Sequence, residues 1–136
     1  MKNYCIANWK MNQSINDCKN FENYMNTNFK YNESEMVICP SYLHLSLMTE
    51  LFSNSKIEIG SQNISEYENG AFTGEISPEM LADLNINWSI VGHSERRQIF
   101  KESDKEVNAK LVNLVKNRIN PILCIGETLE ERESGK

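Results

Sequence analysis

Trp88-Ser89-Ile90-Val91-Gly92-His93-Ser94-Glu95-Arg96-Arg97 is the stretch on which the fold turns. Trp88 to Val91 is a short apolar run, the pattern of a strand buried on both faces. It ends in a glycine, a histidine and a burst of charge, which is how an α/β protein presents chemistry. Ser94 is expected to cap a helix, so that His93 lies beside a helix N-terminus and its partial positive charge. An imidazolium there would face like charge, so the neutral ring is favoured. A neutral imidazole at that point donates a hydrogen bond to a carbonyl or an enolate-like oxygen. Alone, a histidine after a strand is more often structural than catalytic, so its meaning depends on what the rest of the chain places next to it.

Upstream, Tyr4 to Ala7 is a first apolar run, followed by Asn8-Trp9-Lys10-Met11-Asn12. Ser14 and Asp17 have the spacing of a capping box, and Ile15, Cys18, Phe21, Met25 and Phe29 follow at helical spacing. Met36 to Cys39 is a second strand stopped by Pro40, and Tyr42, Leu45, Met48, Leu51 and Phe52 pattern a second helix. Ile57 to Gly60 is a third strand, followed by Ser61, Gln62 and Asn63. Residues 64–77 then lose all periodicity, and an excursion of that length is usually functional or interfacial. Ser77 and Pro78 open a helix expected to bury Met80, Leu81 and Leu84.

Downstream, Ser103 and Glu106 form a second capping box ahead of a stripe of Val107, Leu111, Leu114 and Val115. Pro121 to Ile125 is a fifth strand, closed by Gly126-Glu127-Thr128, and Leu129 to Lys136 begins a charged helix. Five alternations of apolar strand and amphipathic helix predict one α/β domain over residues 1–136 with a parallel sheet. The pattern leaves open whether that sheet is doubly wound or part of a barrel.

Composition narrows the function. Fourteen basic against nineteen acidic residues give a net charge of −5, which argues against nucleic acid as a partner. No apolar run approaches the ~20 residues of a membrane span, and the first residues lack a signal peptide's apolar core. A cytoplasmic protein is expected. Cys5, Cys18, Cys39 and Cys124 show no metal spacing, and the three in apolar runs (Cys5, Cys39, Cys124) read as reduced, packed thiols. No metal site is expected.

In a parallel α/β sheet the carboxyl ends of the strands converge on one face, where sites are built. Here those ends carry Asn8 and Lys10, Gln62 and Asn63, His93 and Glu95, and Glu127. Lys10 offers a fixed positive charge for an anionic substrate or a developing oxyanion. Asn8 holds that lysine or donates to the same substrate, and Glu95 is its natural ion-pair partner. The plainer readings are a solvated Lys10, loop-stabilising amides at Gln62 and Asn63, an inert Cys124, and a helix-capping Glu127. No glycine-rich nucleotide fingerprint is present.

Asn8-Trp9-Lys10-Met11-Asn12, Gly60-Ser61-Gln62-Asn63, Gly70-Ala71-Phe72-Thr73-Gly74-Glu75-Ile76-Ser77, Gly92-His93-Ser94-Glu95-Arg96-Arg97 and Cys124-Ile125-Gly126-Glu127 together resemble triosephosphate isomerase. They stand in that family's order along the whole chain. The resemblance implies a (β/α)8 barrel, here its N-terminal half with strands one to five. It implies interconversion of dihydroxyacetone phosphate and glyceraldehyde 3-phosphate, in glycolysis and gluconeogenesis, with no metal or cofactor. By motif, His93 and Lys10 are the catalytic residues and Asn8 and Lys10 bind substrate. Glu95, Ser94 and Gln62 support them. Thr73, Gly74, Glu75 and Met11 are implied at the contact of a homodimer.

A complete barrel of this kind takes ~250 residues, and the resemblance runs into the fifth βα unit. The family's general-base glutamate lies later, and Glu127, Glu130, Glu131 and Glu133 do not match it. These 136 residues taken alone are therefore expected to be inactive, with strands one and five as apolar edges. They read as a partial record of a complete enzyme or as a truncated product. Two other readings are a non-catalytic half barrel that pairs with itself or a full-length subunit, and an unrelated α/β domain using Lys10 and His93 to bind an anion.

Overall fold

The five apolar runs form the five strands of one parallel sheet. A computed structural model describes residues 3–28, 34–127 and 129–135. Strands β1 (Asn3–Asn8), β2 (Ser34–Cys39), β3 (Ile57–Ser61), β4 (Trp88–Val91) and β5 (Asn120–Leu123) lie side by side in chain order, all parallel. Between and after them run α1 (Ile15–Asn28), α2 (Leu45–Leu51), α3 (Pro78–Asp83), α4 (Ser94–Gln98), α5 (Asp104–Lys116) and α6 (Leu129–Ser134).

The two faces of the sheet decide between the open alternatives. Ile38, Ile57, Ile59 and Val91 pack with Cys18, Met25, Leu45, Met48, Leu81, Val107 and Leu114 of the helices in one core. A second, smaller cluster joins Val37, Cys39 and Ile90 to Trp88, Ile122 and Cys124, with no helical residue in it. The strand order never reverses, and α1, α2, α3 and α5 share one core. A doubly wound sheet would carry helices on both faces. Curvature completes the argument. Tyr4 of β1 meets Trp88 of β4 edge-on, with ring centroids 5.4 Å apart. In a flat sheet those strands would stand roughly 14 Å apart, three spacings of ~4.8 Å. The sheet is curled, and the architecture is a five-stranded part of a (β/α)8 barrel.

The ends of the sheet behave differently from its middle. Tyr4, Ile6 and Cys5 on β1 and Leu123 on β5 are exposed, whereas β2 to β4 are buried over most of their length. Cys5 is thus not a packed thiol, because it sits on an edge strand. Cys18 and Cys39 are buried and Cys124 is partly so.

Both capping boxes form. Ser14 N donates to Asp17 Oδ2 at 2.8 Å, and Asp17 N donates to Ser14 Oγ at 3.2 Å. Ser103 and Glu106 do the same for α5. Ser77 caps α3 with Pro78 in its first turn. Several helix-end hydrophobics do not pack as their spacing predicts. Ile15, Met80, Leu84 and Val115 are exposed: Ile15, Leu84 and Val115 lie at helix ends, and Met80 sits off the face of α3 that buries Pro78 and Leu81. Phe29 lies outside the described residues. The second helix opens as a 3-10 turn over Tyr42–His44 before α2. The fifth strand stops at Leu123, which leaves Cys124 and Ile125 in the loop beyond it.

Candidate active site

The chain makes an unusual turn directly after β1. Lys10 has φ of 55°, the left-handed region that a side chain with a Cβ occupies only when its surroundings enforce it. The enforcing contacts are local and distant. Asn8 Oδ1 accepts the Lys10 backbone N–H at 3.0 Å, and Gln62 Nε2, from beyond β3, donates to the Lys10 carbonyl at 2.9 Å. Gln62 also donates to the Cys39 carbonyl at 2.9 Å, which ties the ends of β1, β2 and β3 together. Trp9 anchors the loop below, packed edge-on against Phe21 at 5.2 Å. Asn8 and Gln62 therefore act on the backbone of Lys10 and leave its ammonium free to reach the site.

That ammonium meets Glu95. Lys10 Nζ lies 2.6 Å from Glu95 Oε1, with both side chains about half exposed. The hydrogen bond from Lys10 holds the Glu95 carboxyl below the ordinary 4.5, and the charges of Lys10 and His93 act in the same direction. The folded value is depressed, so the pair contributes fully above 4.5 and is lost as pH falls through the folded value. A carbon-detected NMR titration should find Glu95 titrating below 4.5, and Lys10→Met should return it to the ordinary range. An unchanged titration in that variant would count against the pair.

His93 itself, not Ser94, is the N-cap of α4. Its backbone is extended (φ −56°, ψ 142°), its carbonyl accepts from Arg96 N and Arg97 N, and its Nδ1 accepts the Glu95 N–H at 3.2 Å. The helix starts one residue earlier than a serine cap would place it, because the ring nitrogen takes the role of the serine hydroxyl. Glu95 Oε2 is 3.4 Å from the same nitrogen, but that carboxylate is engaged by Lys10, and the amide contact is closer and directed. With Nδ1 an acceptor, the neutral ring carries its proton on Nε2. Asn8, Lys10, Met11, Gln62, His93 and Glu95 all line one open cleft of about 190 Å³. His93 also lines a second, of about 260 Å³, with Arg97, Cys124 and Glu127.

Two glycines make this geometry possible. A Cβ on Gly60 would stand 2.9 Å from Cys39 Sγ and 3.0 Å from Trp88 Cβ. Gly92, at φ of 66°, lets Arg97 Nε reach back to its carbonyl at 2.8 Å. Burial pushes the Cys39 thiol up to about 12 and raises that of Cys124, so neither is a nucleophile. Glu127 receives Arg132 Nε at 2.7 Å.

One charged cluster escapes the sequence. Glu102, buried behind α4, accepts from Arg96 Nε at 2.8 Å and from Lys110 Nζ. Lys110 also donates to Asn63 Oδ1 at 2.9 Å. The partners of Glu102 lie six residues before and eight after it, on different helices, so no spacing rule announces them. Among the described residues no group of three His, Cys, Asp or Glu side chains is placed to hold a metal ion, and no helix is long and apolar enough to cross a membrane.

The excursion after β3 is an irregular arm. Ser65 N donates to the Ile76 carbonyl at 2.8 Å and closes its neck, while Tyr67 and Phe72 stack at 3.9 Å. Thr73, Gly74 and Glu75 are exposed near its tip, and Met11 is 96% exposed beside the site.

A family model for triosephosphate isomerase matches residues 3–136. The chain belongs to the triosephosphate isomerase family. The match covers every strand of the sheet, and with it the loops that carry Asn8, Lys10, Gln62, His93 and Glu95. Isomerase-type function follows from membership of the triosephosphate isomerase family.

Proposed function

We propose that these residues form the electrophilic side of a triose-phosphate isomerase site, acting on dihydroxyacetone phosphate and glyceraldehyde 3-phosphate. The observation that carries this reading is the Lys10–Glu95 pair set beside His93, whose Nδ1 is already occupied. Lys10 supplies the positive charge that favours the substrate's phosphate and the charge developing on its oxygens. Nε2–H of His93 donates to the substrate carbonyl and, having given its proton, takes one back from the neighbouring oxygen. Asn8 and Gln62 hold Lys10 in place. Glu95 positions the ammonium, and Ser94 lies in the first turn of α4.

Proton abstraction from carbon needs a carboxylate that none of the residues at this cleft supplies. Glu95 is committed to Lys10, and Glu127 is turned to Arg132. The base comes from the part of the family's barrel that follows the fifth βα unit. The arm over 64–77 is the contact of a homodimer, with Thr73, Gly74 and Glu75 at its tip and Met11 also part of the contact. The four free thiols favour a reducing, cytoplasmic setting and a role in glycolysis and gluconeogenesis.

A coupled assay tests the reading. The natural full-length protein should convert dihydroxyacetone phosphate to glyceraldehyde 3-phosphate, and residues 1–136 alone should show no rate above background. A full-length protein without activity overturns the isomerase assignment. Turnover by the 136 residues alone overturns the need for an outside base.

A further inference from the structure

Helix α5 turns one polar stripe toward the arm. Lys110, Asn113 and Lys116 are three residues apart, so they lie along one side of the helix. Each ends on an acceptor in the arm or at its root. Lys110 Nζ donates to Asn63 Oδ1 at 2.9 Å, Asn113 Nδ2 to the Glu66 carbonyl at 2.5 Å, and Lys116 Nζ to Glu68 Oε1 at 2.9 Å. The acceptors advance along the chain as the donors advance along the helix. Lys110 and Asn113 are buried at 5% and 7% exposure, so two of the three contacts are shielded from water.

The arm needs such support. It has no regular secondary structure, and its neck is closed by the backbone bond from Ser65 to Ile76 and by Ile64 and Ile76 packed in the core. Between its buried ends the arm holds itself by the Tyr67–Phe72 stack and by short-range bonds from Tyr67 N to Ser65 Oγ, Phe72 N to the Gly70 carbonyl and Glu75 N to the Phe72 carbonyl, all within the arm itself. An irregular segment left free would have to lose its conformational freedom on meeting a partner, which weakens association.

We propose that the Lys110–Asn113–Lys116 stripe is a splint that sets the shape of the arm before any partner is met. A helix outside the contact thereby governs how tightly the chain self-associates. The effect on association rests on the reading of the arm as a homodimer contact. The splint itself does not.

Asn113→Ala and Lys116→Glu test it in the natural full-length protein, because both side chains reach the arm and neither touches the Lys10–His93 site. Hydrogen exchange at Ser65 and Glu75 is read at a dilution where sedimentation shows every form dissociated. The dimer dissociation constant is measured separately. Asn113→Ala should speed arm exchange by tenfold or more and raise the dissociation constant comparably, with exchange at Ile59 in β3 unchanged. Lys116→Glu should speed arm exchange severalfold, and adding Glu68→Lys should restore it. That exposed pair keeps the test decisive if Asn113→Ala does not fold. Unchanged arm exchange in the folded variants overturns the splint. A loosened arm with an unchanged dissociation constant upholds the splint and overturns the homodimer contact.

Discussion

Lys10→Met in the natural full-length protein should lower turnover by about 100- to 1,000-fold, the usual loss when one pre-positioned electrostatic donor is removed. Methionine keeps an apolar stem out to the Cε position and lacks only the ammonium beyond it, so the change is close to a deletion of charge alone. Two consequences follow from the geometry. On the proposed function a phosphate-bearing substrate loses its cation, which raises KM. Glu95 also loses its partner, and its other oxygen already lies 3.4 Å from His93 Nδ1. That carboxylate is left without a cation, and the charge developing on the substrate oxygens loses the donor proposed for it. Turnover and KM should therefore both suffer, while the thermal midpoint stays close to that of the parent because the lost pair is half exposed. A turnover within threefold of the parent would remove Lys10 from the chemistry.

Much of the frame behind that prediction is legible in the sequence. The strands stand out because a strand buried on both faces must be apolar throughout, as Val37-Ile38-Cys39 is. Ser14, Ser77 and Ser103 are legible as caps because a serine before an acidic first turn has few other uses. The convergence of Lys10, His93 and Glu95 follows from topology alone, since all three sit at carboxyl ends of parallel strands. The apolar stripes are less faithful. Spacing marks a face of a helix but not how much of it is covered, so Ile15, Met80, Leu84 and Val115 are written as core and stand in solvent.

The rest depends on backbone angles and on long-range meetings, which leave no local mark. Nothing in Asn8-Trp9-Lys10 states that the lysine is left-handed, so the work of Asn8 and Gln62 on its backbone shows only in three dimensions. The shift of the cap from Ser94 to His93 has the same origin. A serine hydroxyl and an imidazole nitrogen both satisfy a helix N–H, and only the extended backbone at His93 decides between them. Glu102 reads as one more charged residue before a serine cap, yet it is buried between an arginine and a lysine.

That capping role sharpens the second large effect. If His93 served only to cap α4, asparagine would do as well, because it is among the best N-cap residues and accepts the same Glu95 N–H. His93→Asn in the full-length protein should then leave stability, α4 and activity unchanged. The site's geometry leads to a different outcome. Asparagine keeps the helix start but is too short to present a donor where Nε2–H lies, and its amide does not exchange a proton at neutral pH. Turnover should fall by about 100- to 10,000-fold, the range for losing a positioned acid–base group, with the thermal midpoint near that of the parent. KM should change far less than turnover, since the charge of Lys10 and its pair with Glu95 remain. A variant that folds, keeps its midpoint and loses its rate separates the two roles of the ring. A variant that keeps its rate reduces His93 to a cap.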